Sequence, residues 1–148
     1  MTFSPVYMES SNDCYPACLA SIMGVPKSEV PNFFDGIEDD RPNYRENVCP
    51  EWNANVRKFL AGYNLDFILV GVEEETLAGL KGRYIVSGEG PRGMQHATIW
   101  EDGKMIHDPK PEGGGIKPPY AVELLFIKDP SLYVEAQRLA RQISSERA

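Results

Sequence analysis

The chain has 148 residues, of which 42% are hydrophobic and 10% aromatic, so it can bury one core, and we expect a single domain spanning residues 1–148. With 22 acidic against 15 basic residues, the net charge of -7 disfavours nucleic acid or anionic lipid as a partner. No segment has the pattern of a signal peptide or of a membrane span. We therefore expect a soluble, cytoplasmic protein.

The three cysteines and two histidines match neither a disulfide framework nor a typical metal site. Cys14 and Cys18 are spaced i, i+4, which places both on one face of a helix. We interpret these two residues and Cys49 as reduced thiols. Because the chain lacks any C-x-x-C or H-x-x-x-H spacing, we expect no metal and no organic cofactor.

The N-terminal part predicts two helices separated by an irregular segment. Polar residues 10–13 can cap a helix that begins near Cys14, repeats apolar residues at helical spacing and ends at Gly24. Residues 25–50 are rich in proline and predict an ordered, loop-rich segment. Apolar residues then recur at i, i+4, i+7 and i+8 within 51–62, which predicts an amphipathic helix packed on a sheet.

The remainder predicts short strands, one short helix, loops and a closing helix. We expect strands at 65–70, 84–86 and 120–127, a helix at 73–80, a hairpin at 95–108, and loops at 87–94 and 110–119. Asp129 and Pro130 would cap the closing helix, and residues 144–148 should fray. The apolar stripe of this helix consists of Leu132, Ala136, Leu139, Ala140 and Ile143. Together these elements predict an α+β fold with an antiparallel sheet.

Cys14 has the position expected of an activated nucleophile. A thiol reacts as the thiolate, and its pKa falls at a helix N-terminus, where unpaired amides and the helix dipole favour negative charge. An imidazole can take the proton, and a third group must then fix the tautomer and orientation of that imidazole. His96 and Asp108 are the candidates for these two roles.

The spacing of these two candidates fits a β-hairpin. Residues 101–103 match a three-residue loop that ends in glycine, which would place Trp100 opposite Lys104. In that register His96 lies directly opposite Asp108, on the same face of the ladder.

A second register is possible in the same hairpin. A two-residue turn at residues 102–103 would shift the pairing by one and send His96 and Asp108 to opposite faces. We prefer the first register, in which His107 points away from His96. His96 is therefore the expected base, with His107 as the alternative.

These residues also carry a family resemblance. Residues 12–22, NDCYPACLASI, resemble the nucleophile helix of papain-like peptidases that process double-glycine leaders. Residues 96–100 and 103–109, HATIW and GKMIHDP, are similar to the histidine strand and the closing Asp-Pro of that family. The string also resembles small papain-like proteins of bacteria and their phages over most of its length. The resemblance implies a papain-like fold, with an N-terminal nucleophile helix packed on a short antiparallel sheet and Cys14, His96 and Asp108 as nucleophile, base and orienting carboxylate.

One residue implied by the resemblance is missing. Such peptidases place a glutamine about six residues before the nucleophile, where its amide stabilises the oxyanion. Here the region reads Tyr7-Met8-Glu9, which offers no side-chain amide. The backbone amide of Cys14, helped by Asn12 or Gln95, would have to donate instead.

The glycine-rich segment 88–93 lacks the pattern of a phosphate-binding loop. We expect it to line the substrate site, with Arg92 as a ligand for a carboxylate or a peptide C-terminus. The sequence thus predicts a cysteine hydrolase that cleaves a peptide, isopeptide or amide bond of a peptide or protein through an acyl-enzyme. The alternatives are a catalytically weak papain-like module that binds a partner protein, and an acyl transferase of the deamidase or transglutaminase type.

Overall fold

A computed structural model of the chain describes residues 2–10, 13–33, 50–91, 93 and 95–147. The predicted loop-rich segment 25–50 therefore lies largely outside the described residues. The helices are α1 (Cys14–Met23), α2 (Pro50–Ala61), α3 (Glu74–Ala78) and α4 (Pro130–Arg147), with a 3₁₀ turn at Lys27–Glu29. The strands are β1 (Leu65–Gly71), β2 (Arg83–Glu89), β3 (Gln95–Glu101), β4 (Lys104–His107) and β5 (Pro119–Ile127).

The strands form one five-stranded sheet in the order β1-β5-β2-β3-β4, and every neighbouring pair is antiparallel. The chain thus has the α+β fold expected from its sequence. The hairpin of β3 and β4 occupies one end of the sheet. His96, on β3, lies opposite Gly88 of the central strand β2.

The two faces of the sheet bury separate clusters of side chains. On one face α1 and α2 cover β1, β2 and β3, and the predicted stripe of α2 is buried through Trp52, Val56 and Leu60. The opposite face carries a smaller cluster under α3, which consists of Leu77, Tyr84, Val86 and Val122. Ile85 belongs to the first cluster and its neighbours along β2 to the second, as the alternation of side chains along a strand requires.

The N-terminal segment is hydrogen-bonded to the second half of α1. The buried Ser21 accepts a hydrogen bond of 2.8 Å from the amide of Val6 through its hydroxyl and one of 2.9 Å from the amide of Ser4 through its carbonyl. Helix α1 ends at Gly24 in the left-handed conformation, with φ 72°. A side chain there would collide with the carbonyl of Thr2, so this crossing requires glycine.

Strand β2 is longer than the sequence suggested, because it runs through Ser87 and Gly88 to Glu89. The loop predicted over 87–94 was therefore wrong for its first three residues. Both Ser87 and Gly88 pair with β3 and with β5, and a Cβ on Gly88 would lie 2.5 Å from the carbonyl oxygen of Pro118. Gly88 permits the close approach of the residues that lead into β5 and does not mark a loop.

Helix α4 extends further than predicted, and its apolar stripe is exposed. It continues to Arg147, because side-chain pairs such as Gln142 with Glu146 support its last turns, so the predicted fraying from residue 144 was wrong. Its apolar stripe is not buried, since Leu132 is 57% and Leu139 49% exposed. Within the described ranges, no helix has both the length and the apolar character needed to cross a membrane.

Candidate active site

His96 and Asp108 form a direct pair at the end of the β3–β4 hairpin. Nε2 of His96 lies 2.7 Å from Oδ1 of Asp108, and the two side chains are only 9% and 6% exposed. A carboxylate can only accept, so Nε2 donates in this contact and Nδ1 is the ring nitrogen that Asp108 does not engage. That nitrogen is the atom that can accept a proton from a nucleophile.

The register that joins them is not the one predicted. Glu101 faces Lys104 across a two-residue turn in which Asp102 and Gly103 have φ 51° and 83°, so the preferred three-residue loop was wrong. Positive φ at both positions is the type I′ geometry that Asp-Gly favours. An irregularity beyond this turn adds one residue, Ile106, to β4, so that Met105 faces Trp100 but His107 faces Ile99. The turn alone would place His96 and Asp108 on opposite faces of the sheet. The bulge returns both side chains to the same face.

Asp108 is held as an anion by a set of donors. Besides the imidazole, Oδ1 accepts from the amide of Lys110 at 2.9 Å and Oδ2 from the amide of Gly115 at 2.8 Å. Burial alone would raise the pKa of this carboxyl, but the hydrogen bonds from His96 and the two amides outweigh it and lower the pKa. Asp108 therefore stays ionised at neutral pH and fixes the imidazole.

Cys14 begins α1 and lies against the edge of β3. Strand β4 pairs with β3 over Ile99–Glu101, and past this stretch the amide of Ala97, the residue after His96, donates to the Cys14 sulfur. The amide of Tyr15 also donates to the sulfur, as expected at a helix start, and the nearby amide of Cys14 itself acts to lower the pKa of the thiol. The sulfur thus lies at the strand position adjacent to the base candidate.

The helix N-terminus does not make Cys14 acidic. Burial raises the pKa of the thiol and the charge of the preceding Asp13 adds to the rise, while the donating amides only partly offset it. The expected lowering of the pKa at this position was therefore wrong in its net sign. Cys14 is a protonated thiol at neutral pH, and its reaction needs a base.

Asp13 occupies the N-cap position of α1 without capping the helix by its side chain. Its carboxylate instead accepts from the amides of Glu9 and Ser10, at 3.1 and 3.2 Å, and forms an ion pair with Lys27. These contacts bind the segment that precedes Cys14 to α1. They also place a negative charge directly beside the Cys14 thiol.

Of the other predicted site residues, only some lie within the described part of the chain. Asn12 and Arg92 lie outside the described residues, as does Cys49, while Gln95 is exposed at the start of β3, next to His96. His107 donates from Nε2 to the carbonyl of Val6 at 2.8 Å and is buried against the N-terminal segment. This placement gives His107 a structural contact away from Asp108.

A buried acid near the nucleophile was missed by sequence reasoning. Glu123 of β5 is 2% exposed and accepts a hydrogen bond of 2.6 Å from the hydroxyl of Tyr15, the residue after Cys14. The signal that could have found it is a single acid within the apolar strand YAVELLFI. Cys18, one helical turn after Cys14, is fully buried and is likewise a free thiol.

In comparisons with known proteins, no family model, no curated protein and no solved structure matches the chain. A functional assignment therefore depends on the site geometry and on the resemblance of its sequence motifs. Within the described residues, no cluster of three or more His, Cys, Asp or Glu side chains is arranged to hold a metal ion.

Proposed function

We propose that this chain is a papain-like cysteine hydrolase that cleaves a peptide, isopeptide or amide bond. Cys14 is its nucleophile, His96 its base and Asp108 the carboxylate that orients the base. The observation that carries the proposal is the buried His96–Asp108 pair, which lies next to Ala97, the residue whose amide donates to the Cys14 sulfur.

The reaction begins from a neutral thiol. As the Cys14 sulfur attacks the carbonyl carbon, Nδ1 of His96 takes its proton, and the ionised Asp108 stabilises the imidazolium that forms. The tetrahedral intermediate collapses to a thioester, and the imidazolium gives its proton to the leaving amine. His96 then activates a water molecule that hydrolyses the thioester and regenerates the thiol.

Among the described residues, the site offers few hydrogen-bond donors that could stabilise the oxyanion. The backbone amide of Cys14 is the first candidate donor, and the exposed amide of Gln95, adjacent to the base, is the second. Losing one oxyanion donor costs about 10²- to 10³-fold in rate, so we expect slow turnover on simple peptide substrates.

The order of the elements supports the papain-like assignment. An N-terminal helix that begins at the nucleophile packs on an antiparallel sheet whose edge hairpin carries the histidine and the aspartate, as the motif resemblance implies. The resemblance and the geometry point to the same three residues. Deamidation and transglutamination use the same thioester chemistry and require the same residues.

A thiol-directed probe tests the proposal without knowledge of the substrate. Iodoacetamide should label Cys14 at least about tenfold faster in the wild type than in His96→Ala, because the imidazole of His96 takes up the thiol proton. Cys49 in the same molecules serves as the internal reference. Equal labelling of Cys14 in both proteins, or labelling no faster than Cys49, contradicts the proposal.

The raised pKa of the Cys14 thiol favours a second candidate function. A protonated thiol with few oxyanion donors would suit a papain-like module that binds a partner protein and catalyses weakly. Under this alternative His96→Ala would leave the labelling of Cys14 unchanged. The same experiment therefore separates the two candidates.

A further inference from the structure

We propose that Glu123 is a positioning residue for the nucleophile: by accepting a hydrogen bond from Tyr15 it fixes the first turn of α1 on the sheet and so sets the place of the Cys14 sulfur. This inference rests on the proposed function of Cys14. It deepens that proposal, because Glu123 lies on a different strand from the His96–Asp108 pair.

The contact links the nucleophile directly to the sheet. The hydroxyl of Tyr15 lies 2.6 Å from Oε2 of Glu123, while the backbone amide of Tyr15 donates to the Cys14 sulfur. One residue thus joins the reacting atom to β5. The ring of Tyr15 also packs on Trp52, with a centroid distance of 4.8 Å, so its side chain has little freedom to move.

The burial of Glu123 is difficult to explain by fold stability. Its side chain faces the large cluster, between Leu69 and Ile85 on the neighbouring strands, and its Oε1 has no hydrogen-bond partner among the described residues. A buried, half-satisfied carboxyl destabilises a fold, so a leucine at this position would serve packing better. Such a cost is typical of groups retained for function.

Among the described residues, few charged or titratable groups act on Glu123. Tyr15 and Cys18 face it from α1 and Arg57 acts on it from α2, whereas its partners on β1 and β2 are apolar. Burial raises the pKa of Glu123 to about 7, while the Tyr15 hydroxyl and Arg57 act in the opposite direction. The strength of the contact with Tyr15 therefore changes near neutral pH, since an ionised acceptor holds a hydroxyl more tightly.

Three variants separate positioning from packing. Tyr15→Phe removes the hydroxyl and keeps the ring, Glu123→Gln keeps an acceptor that cannot ionise, and Glu123→Leu removes the acceptor at similar volume. The measurement is the rate of Cys14 alkylation by iodoacetamide between about pH 5 and 9, read by mass spectrometry. Circular dichroism establishes that each variant is folded, and if Glu123→Leu is not, the other two carry the test.

We expect Tyr15→Phe and Glu123→Leu to slow alkylation of Cys14 by about tenfold, because small displacements of a reacting group are costly. Glu123→Gln should stay within about twofold of the wild type below pH 6. The ratio of wild-type to Glu123→Gln rates should rise about threefold as Glu123 ionises, and this rise should vanish when both proteins also carry Tyr15→Phe. A ratio that is flat with pH, or that changes equally in the Tyr15→Phe background, overturns the proposal, as does an unchanged rate in folded Tyr15→Phe.

The His96→Ala variant separates a failure of the hydrolase proposal from a failure of the positioning role of Glu123. If it labels as fast as the wild type, the hydrolase proposal fails. If it is slow while the Tyr15 and Glu123 variants match the wild type, only the positioning role of Glu123 fails.

Discussion

His96 and Asp108 share a hydrogen bond of 2.7 Å although they are not directly opposite each other in the β3–β4 ladder. Continuing the pairing of Ile99 with His107 by one residue places Asp108 opposite Thr98, so His96 is its diagonal neighbour on the same face. The bond therefore depends on the extra residue in β4. The geometry of the His96–Asp108 pair is a consequence of a bulge.

Replacing Asp108 by asparagine should slow the reaction of Cys14. An asparagine can turn its amide group toward Nε2 of His96, which would move the ring hydrogen to Nδ1 and remove the free lone pair from the nucleophile side. We expect alkylation of Cys14 to fall by at least about tenfold at neutral pH. Matched rates in Asp108→Asn and wild type, with both folded, would contradict the orienting role.

Replacing His107 by glutamine should spare that reactivity. His107 contacts the carbonyl of Val6 and lies edge-on to Phe3 and Tyr7, so its place is structural. Glutamine can still donate to Val6, and we expect the free energy of unfolding to fall by about 1 to 2 kcal/mol. Cys14 alkylation should stay within about twofold of the wild type. A loss as large as in His96→Ala would restore His107 as the base.

Several features were predictable because local patterns specify them. The end of α1 at Gly24 and the buried stripe of α2 follow from left-handed glycine and helical periodicity, and the start of α1 at Cys14 was predicted although Asp13 makes no side-chain cap. The contact between His96 and Asp108 was predicted, but from a hairpin loop of the wrong length. The two-residue turn and the bulge each shift the register by one in the same direction, and the combined shift returns His96 and Asp108 to one face as diagonal neighbours.

Other features depend on tertiary contacts that no local pattern encodes. The contact of Tyr15 with Glu123 joins residues 108 positions apart in the chain. The net rise in the thiol pKa of Cys14 comes mainly from burial between α1 and the sheet. The exposure of α4 also cannot be predicted from the sequence, because the spacing of its apolar residues is the same whether or not another element covers them.

Replacing Asp13 by asparagine should make Cys14 more reactive. The charge of Asp13 contributes to the raised pKa of the thiol, so removing it lowers that pKa and increases the thiolate fraction below it. Because the pair with Lys27 already offsets part of this charge, we expect a gain of only about two- to fivefold at pH 7. The measurement is the pH profile of alkylation, with Glu9→Gln as the control for an exposed acid. A profile that shifts to higher pH would refute the prediction.

The turn at Gly103 should be intolerant of a side chain. With φ 83°, an added Cβ would lie 2.9 Å from the carbonyl oxygen of Leu77 and 3.0 Å from that of Ala78. Gly82 is the matched control, since it also has positive φ, 95°, but a Cβ there meets open space among the described residues. We expect Gly103→Ala to lower the free energy of unfolding by about 1 to 3 kcal/mol more than Gly82→Ala, measured by urea denaturation. Equal losses would show that φ strain alone decides the cost.

Glu123 should make the fold less stable as the pH rises. Its pKa is about 7 in the fold against an ordinary 4.5, so the folded protein retains a proton that the unfolded chain has lost between these values. The free energy of unfolding therefore falls as pH increases across this window and levels off above the folded pKa. The full effect is about 3 kcal/mol, an upper estimate for a buried group.

Glu123→Gln isolates this effect, because every other titrating group is common to both proteins. The lowered pKa values of Asp13 and Asp108 act in the acid range, where they add stability above their ordinary values near 3.8 and lose it as the pH falls. Urea denaturation at about pH 5 and about pH 8 should show the wild type losing 2 to 3 kcal/mol relative to Glu123→Gln, an order-of-magnitude expectation from linkage. Parallel curves for the two proteins would mean that Glu123 ionises in the fold as it does in the unfolded chain, and its burial against Tyr15 would then need another explanation.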